Sequence, residues 1–492
     1  MNLPVVSSAE MRAAEEAAFA RGISAETLMN EAGAGIARSV QQFFPRSGHC
    51  LVFAGKGNNG GDALVAARRL KCLGWHTDVH LSFPELECSE LLRKKISEFR
   101  DAAAVKKPKT LPVPLVVLDG LLGLGSKPPL RDPILSSCRE INRLRREQNA
   151  FVFAVDQPSG LDGDTGQSDR DCIVADFTAA IGAAKRGLVA DGAVNFVGRL
   201  EIVPLRELHL AESAETVAGA ASLGGLLPRR DFDAFKNQFG RIGIVAGSRG
   251  LIGAAILCAE GALRGGAGLV EVFVLEEVYS IVAAAAPAEA MVKPLNSYAK
   301  LEDEAVDSWA VGPGLGKLHG QEILDLVERI TKPMVVDADA LNILSSNVEA
   351  LKASRGPRLL TPHPGEMKRL TNNQKGPRAV IARSFTSQFP ITLLLKGSRT
   401  IVAENGKRIS YNSSGNPAMA TGGMGDILTG VCAALIGQKL SLFDAARVGA
   451  WVCGRAAELA LFSNGASQQS LLPRDVLDHL GHAFRDLQGG AI

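Results

Sequence analysis

Short apolar runs alternate with helical stretches along the first half of the chain. Many of the runs end in a glycine-rich or acidic loop, and apolar positions at helical spacing follow. We predict strands at residues 50–55, 77–83, 177–183 and 199–204, and at the beginnings of segments 115–125 and 151–166. Strands that alternate with helices form a parallel sheet with helices on both faces.

Capping signals mark the predicted helices of the first half. Ser7 and Glu10 have the spacing of a capping box at the start of the first helix. A second helix is predicted from Ser24 to Phe44. Residues 56–62 are predicted to form a loop, and a third helix follows it until Gly74 ends the segment.

The second half repeats the alternation. We predict strands, or strands that run into loops, at residues 241–247, 269–275, 309–316, 333–341, 358–367 and 390–400, and helices at 254–266, 426–438 and 442–461. The two halves share this architecture, but no residue-level repeat links them. Between them lies a stretch of small and polar residues. We therefore expect one domain at 1–212, a linker at 213–226 and a second domain at 227–492.

Composition excludes several classes of protein. The net charge is only +2 and no basic stripe dominates, which argues against a nucleic-acid partner. The sequence shows no uninterrupted apolar run of 18 residues and no signal-peptide pattern at its start, so we expect no membrane span and no export. The eight cysteines have no C-x-x-C spacing, and we predict that they are reduced residues of the core. We expect a cytoplasmic protein that forms a homo-oligomer.

Residues 58–62 combine polar side chains with glycines directly after a predicted strand. The segment is Asn58, Asn59, Gly60, Gly61 and Asp62. Exposed backbone N–H groups in such a segment suit a phosphate or a ribose. Asparagine and aspartate are equally common as turn and capping residues, and the residues alone leave both interpretations open.

Three oxygen-bearing side chains of the first half could converge on a cation. Asn59, Asp119 and Ser159 follow the ends of different predicted strands, and the carboxyl ends of parallel strands share one edge of a sheet. An amide, a carboxylate and a hydroxyl suit a hard cation rather than zinc or copper. The alternative is again that these are turn and capping residues.

The second half contains a glycine-rich segment, 421–426, that ends in Asp426 and leads into an apolar helix. Free N–H groups at a helix start bind anions, and an acid there can take a proton from an attacking hydroxyl. This arrangement is typical of phosphoryl transfer. The alternative is an ordinary glycine loop before a helix. His363, clamped between two prolines, and the segment 396–400 after a buried strand could add a proton-handling group and a phosphate loop.

The first half resembles the NAD(P)H-hydrate epimerase domain in segments 55–70, 117–125 and 155–166. The resemblance covers roughly residues 1–210 and implies a Rossmann-like αβα sandwich. It implies that the hydrated nucleotide contacts Asn58, Asn59, Gly60, Gly61, Asp62, Gly123, Leu124, Gly125, Ser126, Lys127, Pro128, Pro129 and Asp156. It also implies that K⁺ is held by Asn59, Asp119 and Ser159, with Asp156 catalytic. Ala63 and Gln157 depart from the family pattern, which usually has a glycine and an apolar residue there.

The second half resembles the NAD(P)H-hydrate dehydratase domain, a relative of the ribokinase-like kinases. Five motifs carry the resemblance in the expected order, at residues 310–316, 335–342, 361–367, 393–397 and 415–430. The resemblance implies a ribokinase-like α/β domain. The hydrated nucleotide would contact Ala254, Gly314, His363 and Asp426, with Asp426 catalytic. ADP, accompanied by Mg²⁺, would contact Lys396, Gly397, Ser398, Arg399, Thr400 and Gly425.

These resemblances predict a bifunctional nicotinamide-nucleotide repair enzyme. The first domain would interconvert the R and S hydrates of NADH and NADPH, and the second would dehydrate the S form while converting ADP to AMP and phosphate. One alternative is a ribokinase-like small-molecule kinase fused to a nucleotide-binding domain, which would release a stable phosphorylated product. Another is a first domain that binds its ligand without turnover.

Overall fold

The computed structural model describes residues 3–103, 114–227, 229–463 and 465–489. The described residues divide into two compact units, one on each side of the Val217–Ala218 bond. The division falls inside the predicted linker 213–226, where residues Glu215–Ala218 form a strand. The outer ends of the two predicted domains, residues 1 and 492, lie outside the described residues.

The first unit contains six predicted strands and two very short additional ones. Its strands are β1 (Val5–Val6), β2 (His49–Ala54), β3 (His76–Leu81), β4 (Leu115–Gly120), β5 (Phe151–Val155), β6 (Phe177–Ile181), β7 (Ala184–Lys185) and β8 (Arg199–Val203). Its helices are α1 (Ser8–Ala20), α2 (Ala25–Phe43), α3 (Asn58–Cys72), α4 (Glu90–Asp101), α5 (Ile134–Gln148) and α6 (Val194–Val197).

A parallel six-stranded sheet forms the centre of the first unit, as the alternating pattern predicts. Its strand order is β3-β2-β4-β5-β6-β8, and every pair in it is parallel. The central strands are buried on both faces, which explains their nearly continuous apolar sequences. The carboxyl ends of β2, β4 and β5 therefore meet at one edge, next to the start of α3.

Helix α3 begins five residues earlier than the sequence predicts. Asn58 to Asp62, predicted to be a loop, form its first turns. Gly60 and Gly61 permit close packing there: a Cβ on Gly60 would lie 2.6 Å from the carbonyl oxygen of Gly55, and one on Gly61 would lie 2.4 Å from Cε of Met29. Tertiary packing thus overrides the loop preference of asparagine and glycine.

The second unit is larger and has a mixed sheet. Strand β9 (Glu215–Ala218) spans the division between the units, and the strands of the second unit are β10 (Arg241–Val245), β11 (Leu269–Leu275), β12 (Ala290–Leu295), β13 (Ser308–Val311), β14 (Met334–Val336), β15 (Arg358–Leu360), β16 (Thr392–Leu395), β17 (Ile401–Glu404) and β18 (Ile409–Asn412). Its helices are α7 (Ala220–Leu223), α8 (Ile252–Arg264), α9 (Glu276–Ala285), α10 (Gly320–Arg329), α11 (Ala338–Leu344), α12 (Ala350–Ala353), α13 (Pro364–Leu370), α14 (Arg378–Gln388), α15 (Met424–Gly437), α16 (Leu442–Ser463) and α17 (Pro473–Gln488).

The strand order within the second unit is β12-β11-β10-β13-β14-β15-β16-β17-β18. The strands from β12 to β16 are parallel, whereas β17 and β18 form an antiparallel hairpin beside β16. The sequence prediction missed this hairpin, although its turn contains Asn405 and Gly406, and Gly406 has a φ of +76°.

Helix α15 is the buried helix that the sequence predicts after the glycine-rich segment. It packs against α8 through glycines that bring the two backbones together. A Cβ on Gly430 would lie 2.0 Å from the carbonyl oxygen of Cys258, and one on Gly261 would lie 2.5 Å from that of Ile427. This close packing fixes the start of α15. In the described parts of the chain, we find no helix both long enough and apolar enough to cross a lipid bilayer.

Candidate active sites

A cavity of about 460 Å³ opens in the first unit where the carboxyl ends of the strands meet the start of α3. Its wall includes the predicted residues Asn58, Asn59, Asp62, Gly123, Leu124, Gly125 and Asp156. It also includes Arg12, Glu15, Lys56 and Lys185, which the sequence prediction did not name. Cations and acids therefore face the same cavity.

The start of α3 presents backbone donors to this cavity. The first N–H groups of any α-helix have no partner within the helix, and the helix dipole adds positive potential there. The capping residue of α3 is Gly57, whose lack of a side chain leaves these donors uncapped. With Lys56 in the same wall, this end of α3 suits the phosphate groups of a nucleotide.

Asp156 forms a buried ion pair with Lys185 in the same cavity. Asp156 follows β5 with a φ of +68°, and its carboxylate also accepts a hydrogen bond of 3.1 Å from the N–H of Ile181. The Lys185 ammonium, fully buried, donates to Asp156 and to the Ile181 carbonyl at 3.0 Å. The pair holds a carboxylate and an ammonium in fixed positions where a substrate can reach them.

Two further acids near this pair have raised pKa values. Burial and the nearby charge of Asp156 raise the pKa of Asp62 well above its usual range. Burial raises the pKa of Glu15, and Asp156 adds to that effect. Protonated and ionised carboxyl groups can therefore coexist in the cavity, which is the arrangement that acid–base catalysis requires.

Asp119 and Ser159 are brought together, with Asn59 nearby. The Asp119 carboxylate is fully buried and accepts hydrogen bonds from Ser159 Oγ at 2.7 Å, Ser159 N at 2.8 Å and Leu121 N at 3.2 Å. Burial raises its pKa to about 6 despite these bonds. The amide nitrogen of Asn59 is buried without a hydrogen-bond partner, and a Cβ on Gly123 would lie 3.2 Å from its Oδ1.

The rest of the 123–129 loop, from residue 126 onward, does not line the cavity. Ser126 is 2% exposed, and its Oγ accepts a 3.0 Å hydrogen bond from the N–H of Gly160. Lys127 and Pro129 are exposed, Pro128 is partly buried, and the lining of the cavity ends at Gly125. Ser126 therefore supports the loop, and the cavity lining does not include Lys127, Pro128 or Pro129.

The two departures from the family pattern fit their surroundings. A Cβ on Gly120 would lie 2.5 Å from the methyl of Ala63, so a glycine in β4 makes room for the alanine in α3. The Gln157 side chain is fully buried and donates to the carbonyls of Gly123 at 3.0 Å and Leu161 at 3.2 Å. Gln157 thus helps to fix the loop that forms one wall of the cavity.

The site of the second unit is built around the start of α15. The capping residue, Gly423, has a φ of +92°, and a Cβ there would lie 2.6 Å from Cδ1 of Leu257. Asp426 lies in the first helical turn. Burial, with a further contribution from the charge of Asp337, raises the pKa of Asp426 to about 7. An acid with this pKa can accept a proton near neutral pH.

Asp337 organises the groups beneath Asp426. This carboxylate, 1% exposed, accepts hydrogen bonds of 2.7 Å from both Lys396 Nζ and Thr429 Oγ1. A Cβ on Gly425 would lie 3.2 Å from Lys396 Nζ, so the predicted nucleotide contacts Gly425 and Lys396 are neighbours. The sequence prediction noted the acids that end segment 333–341 but assigned them no role.

His363 caps helix α13. Its Nδ1 accepts a 2.9 Å hydrogen bond from the N–H of Gly365, which places the ring proton of the neutral form on Nε2. Burial and the Lys396 charge lower the pKa of His363, which favours that neutral form. The Glu366 carboxylate accepts from the His363 N–H at 2.7 Å and holds the capping geometry. His363 Nε2 lies 3.5 Å from Glu366 Oε1, and the neutral ring can donate a hydrogen bond through this nitrogen.

Ala254 and Gly314 are neighbours, as two residues that contact one ligand should be. Gly314 has a φ of +63°, and a Cβ there would lie 2.9 Å from that of Ala254. The adjacent glycines have other partners: Gly312 lies against the carbonyl oxygen of Asp337, and the N–H of Gly316 donates to Asp339 at 2.9 Å. Of the three glycines, Gly314 is the one beside Ala254.

The segment 396–400 turns sharply after β16. Gly397 has a φ of +153°, and a Cβ there would lie 2.4 Å from Nη1 of Arg378. Gly397 and Ser398 are exposed, Arg399 is 2% exposed, and Thr400 Oγ1 donates to the Gly397 carbonyl at 3.0 Å. The exposed part of the turn is thus limited to Gly397 and Ser398, next to the partly buried Lys396.

Both units are α/β folds in which acids and helix N-termini meet at the carboxyl ends of parallel strands, an arrangement typical of enzymes that bind nucleotides. Family models match both: residues 25–187 match the YjeF-related protein N-terminus, and residues 242–480 match NAD(P)H-hydrate dehydratase. The bifunctional NAD(P)H-hydrate repair enzyme Nnr of Moorella thermoacetica is 35% identical over 94% of this chain and 92% of its own. That of Escherichia coli is 34% identical over 91% and 88%.

The chain therefore belongs to the family of bifunctional NAD(P)H-hydrate repair enzymes, with an epimerase-type unit followed by a dehydratase-type unit. A solved ADP/ATP-dependent NAD(P)H-hydrate dehydratase from Bacillus subtilis, co-crystallised with ATP and Mg²⁺, is 29% identical. It covers 55% of this chain and 98% of its own, with a TM-score of 0.49.

Proposed function

We propose that the first unit interconverts the R and S hydrates of NADH and NADPH, and that the second dehydrates the S form while converting ADP to AMP and phosphate. The observation that carries the proposal is the pair of acid sites, one at the carboxyl edge of each sheet. Each combines a helix N-terminus with a lysine–aspartate ion pair. The names of the relatives supply the substrate.

In the epimerase unit, the reacting carbon of the hydrated ring must lose its hydroxyl and regain it on the other face. A protonated acid assists departure of the hydroxyl as water, and a carboxylate takes a proton from the returning water. Asp156 is the proposed carboxylate. Asp62, whose pKa is raised by burial, is the proposed acid. Residues 58–62 and the loop that begins at Gly123 would hold the nucleotide.

The residues Asn59, Asp119 and Ser159 fit a potassium ion. The buried Asp119 carboxylate has a pKa raised to about 6 by desolvation, and a bound cation would offset that cost. The side chains of Asn59 and Ser159 supply the neutral oxygens that such an ion prefers. A bound ion would neutralise charge near the nucleotide phosphates. These three residues also help to position the loop that follows β4.

In the dehydratase unit, hydroxide is a poor leaving group and is converted to phosphate. Asp426 accepts the proton of the ring hydroxyl, whose oxygen attacks the β-phosphoryl group of ADP and displaces AMP. The ring nitrogen's lone pair then expels phosphate as the C–O bond breaks, and loss of a proton from the adjacent ring carbon to solvent restores the double bond of the nicotinamide ring. N–H groups at the start of α15 and Lys396 bind the phosphoryl oxygens. Mg²⁺ bound to the nucleotide would supply further charge neutralisation.

The test uses the purified full chain with hydrated NADH, ADP and Mg²⁺. Recovery of NADH absorbance together with one AMP per NADH supports the proposal. A stable phosphorylated product without recovery of NADH would instead identify a small-molecule kinase. No turnover of the R form, with its binding intact, would leave the first unit as a binding module.

We also propose a cytoplasmic location. All eight cysteines are unpaired, and seven of them are buried. Unpaired cysteines in this number are typical of a reducing compartment. The expected homo-oligomer stays a prediction, which sedimentation of the purified chain would test.

A further inference from the structure

Two histidines and an aspartate lie together at the amino ends of β2 and β3, away from the cavity at the carboxyl ends. His49 begins β2 and is directly opposite His76, which begins β3. Asp78 is two residues after His76 in the same strand, so its side chain points to the same face of the sheet. The cluster therefore follows from strand register, and β3 is the edge strand of the sheet.

The ligand atoms of these side chains have the spacing of a metal site. Asp78 Oδ2 lies 2.9 Å from His49 Nε2 and 3.4 Å from His76 Nε2. All three atoms lie within 4.8 Å of one another. A tetrahedral zinc ion with bonds of about 2.0–2.1 Å holds its ligands roughly 3.4 Å apart, so a small opening of the His49–Asp78 contact admits the ion.

The burial of these three side chains and their hydrogen bonds also favour a metal site. The His49 and His76 side chains are 7% and 13% exposed, whereas that of Asp78 is 46% exposed. His76 Nε2 is buried and has no hydrogen-bond partner, which is costly for a ring nitrogen unless something else binds it. A metal bond would satisfy this atom, and the exposed Asp78 leaves a path for the ion and for a water as fourth ligand.

We propose that His49, His76 and Asp78 bind a zinc-like first-row transition metal that ties the edge strand β3 to β2. Two imidazoles and one carboxylate favour such an ion over K⁺ or Mg²⁺, which prefer oxygen ligands alone. The metal has a structural role, because its ligands lie at the opposite ends of the strands from the acids of the cavity. The proposal is independent of the reaction catalysed.

The test is zinc binding by the full chain after removal of metals with a chelator. We expect one tightly bound zinc per chain by competition with a chromophoric chelator, and X-ray absorption that shows two imidazole ligands. Asp78→Asn keeps both imidazoles and the size of the side chain. It should weaken zinc binding by at least about tenfold, since a ligand has been lost. Zinc should also raise the Tm of the wild type more than that of this variant.

The matched control is the pair His479 and His482 in α17, whose ring centroids are 5.9 Å apart compared with 4.9 Å for His49 and His76. His479→Gln should leave zinc affinity unchanged. Circular dichroism and conversion of the R hydrate to NADH check that Asp78→Asn is folded. The proposal is overturned if the wild type binds no zinc, if Asp78→Asn binds it equally well, or if His479→Gln removes it.

Discussion

Each site contains an aspartate paired with a buried or partly buried lysine, and a second acid whose pKa is raised. In the first unit the pair is Asp156 and Lys185, and the second acid is Asp62. In the second unit the pair is Asp337 and Lys396, and the second acid is Asp426. Sequence reasoning found Asp156, Asp62, Lys396 and Asp426 through motifs. It missed Lys185, because one lysine after a short apolar run has no signature until the fold places it beside Asp156.

Asp156→Asn tests the role of the first site. The amide preserves the size of the side chain but cannot take up a proton, so conversion of the R hydrate to NADH should fall by about 10²–10⁴-fold. Dehydration of the S hydrate should be unchanged, which shows that the loss is confined to the first unit, and circular dichroism checks the fold. The assay follows NADH absorbance from each pure epimer with ADP and Mg²⁺. Full turnover of the R form by the variant would remove Asp156 from the mechanism.

The pH dependence of dehydration tests the second site. Asp426 has a pKa of about 7 and must be ionised to accept the hydroxyl proton. The rate with the S hydrate should therefore rise as pH increases through about 7 and then level off. A rate that falls as pH rises through this value is not expected. Initial rates at saturating ADP over roughly pH 5.5–9 give the profile. A flat profile would contradict the assignment of Asp426 as the base.

The stability of the second unit should also depend on the protonation state of Asp426, but here the protonated form is the favourable one. The folded pKa of Asp426, about 7, lies above the ordinary value of 3.8 for an aspartate. The unfolded chain therefore loses this proton at lower pH, and the contribution to stability decreases as pH rises between those values. Asp426→Asn removes the cost and should stabilise the second unit by about 1–3 kcal/mol at pH 8, while abolishing dehydration. Thermal melts of both proteins at pH 8 and near pH 4 provide the comparison, and an equal gain at both would contradict it.

At the scale of elements, the parallel strands were predictable and the exact helix starts were not. Apolar runs followed by polar loops identified the six main strands of the first unit, and in the second unit they identified β10, β11 and the strands from β13 to β16. The start of α3 was misplaced because asparagine and glycine favour loops, while the close approach to Gly55 and Met29 is a tertiary effect. Strand β12 and the β17–β18 hairpin were missed for lack of a strong alternating pattern.

Gly423 gives a prediction at this scale, because it sets the direction of α15. Gly423→Ala places a side chain at a φ of +92° and 2.6 Å from Leu257, so the helix start should shift. We expect a loss of about 1–3 kcal/mol in stability and a larger loss of dehydration than of epimerisation. Gly422→Ala is the matched control, since nothing lies within 4 Å of a Cβ there. Equal effects of the two substitutions on stability and on dehydration would contradict this role of Gly423.

At the scale of the whole molecule, two compact units each carry a complete set of acids, cations and helix N-terminal donors. Each reaction can then proceed in its own unit, with the epimerised hydrate passing through solution. A mixture of Asp156→Asn, which lacks epimerisation, and Asp426→Asn, which lacks dehydration, should restore NADH from the R hydrate. At saturating amounts of the first variant, the rate should approach that of the wild type. Either variant alone provides the baseline. A mixture no faster than Asp156→Asn alone would show instead that the intermediate must pass between units of one chain.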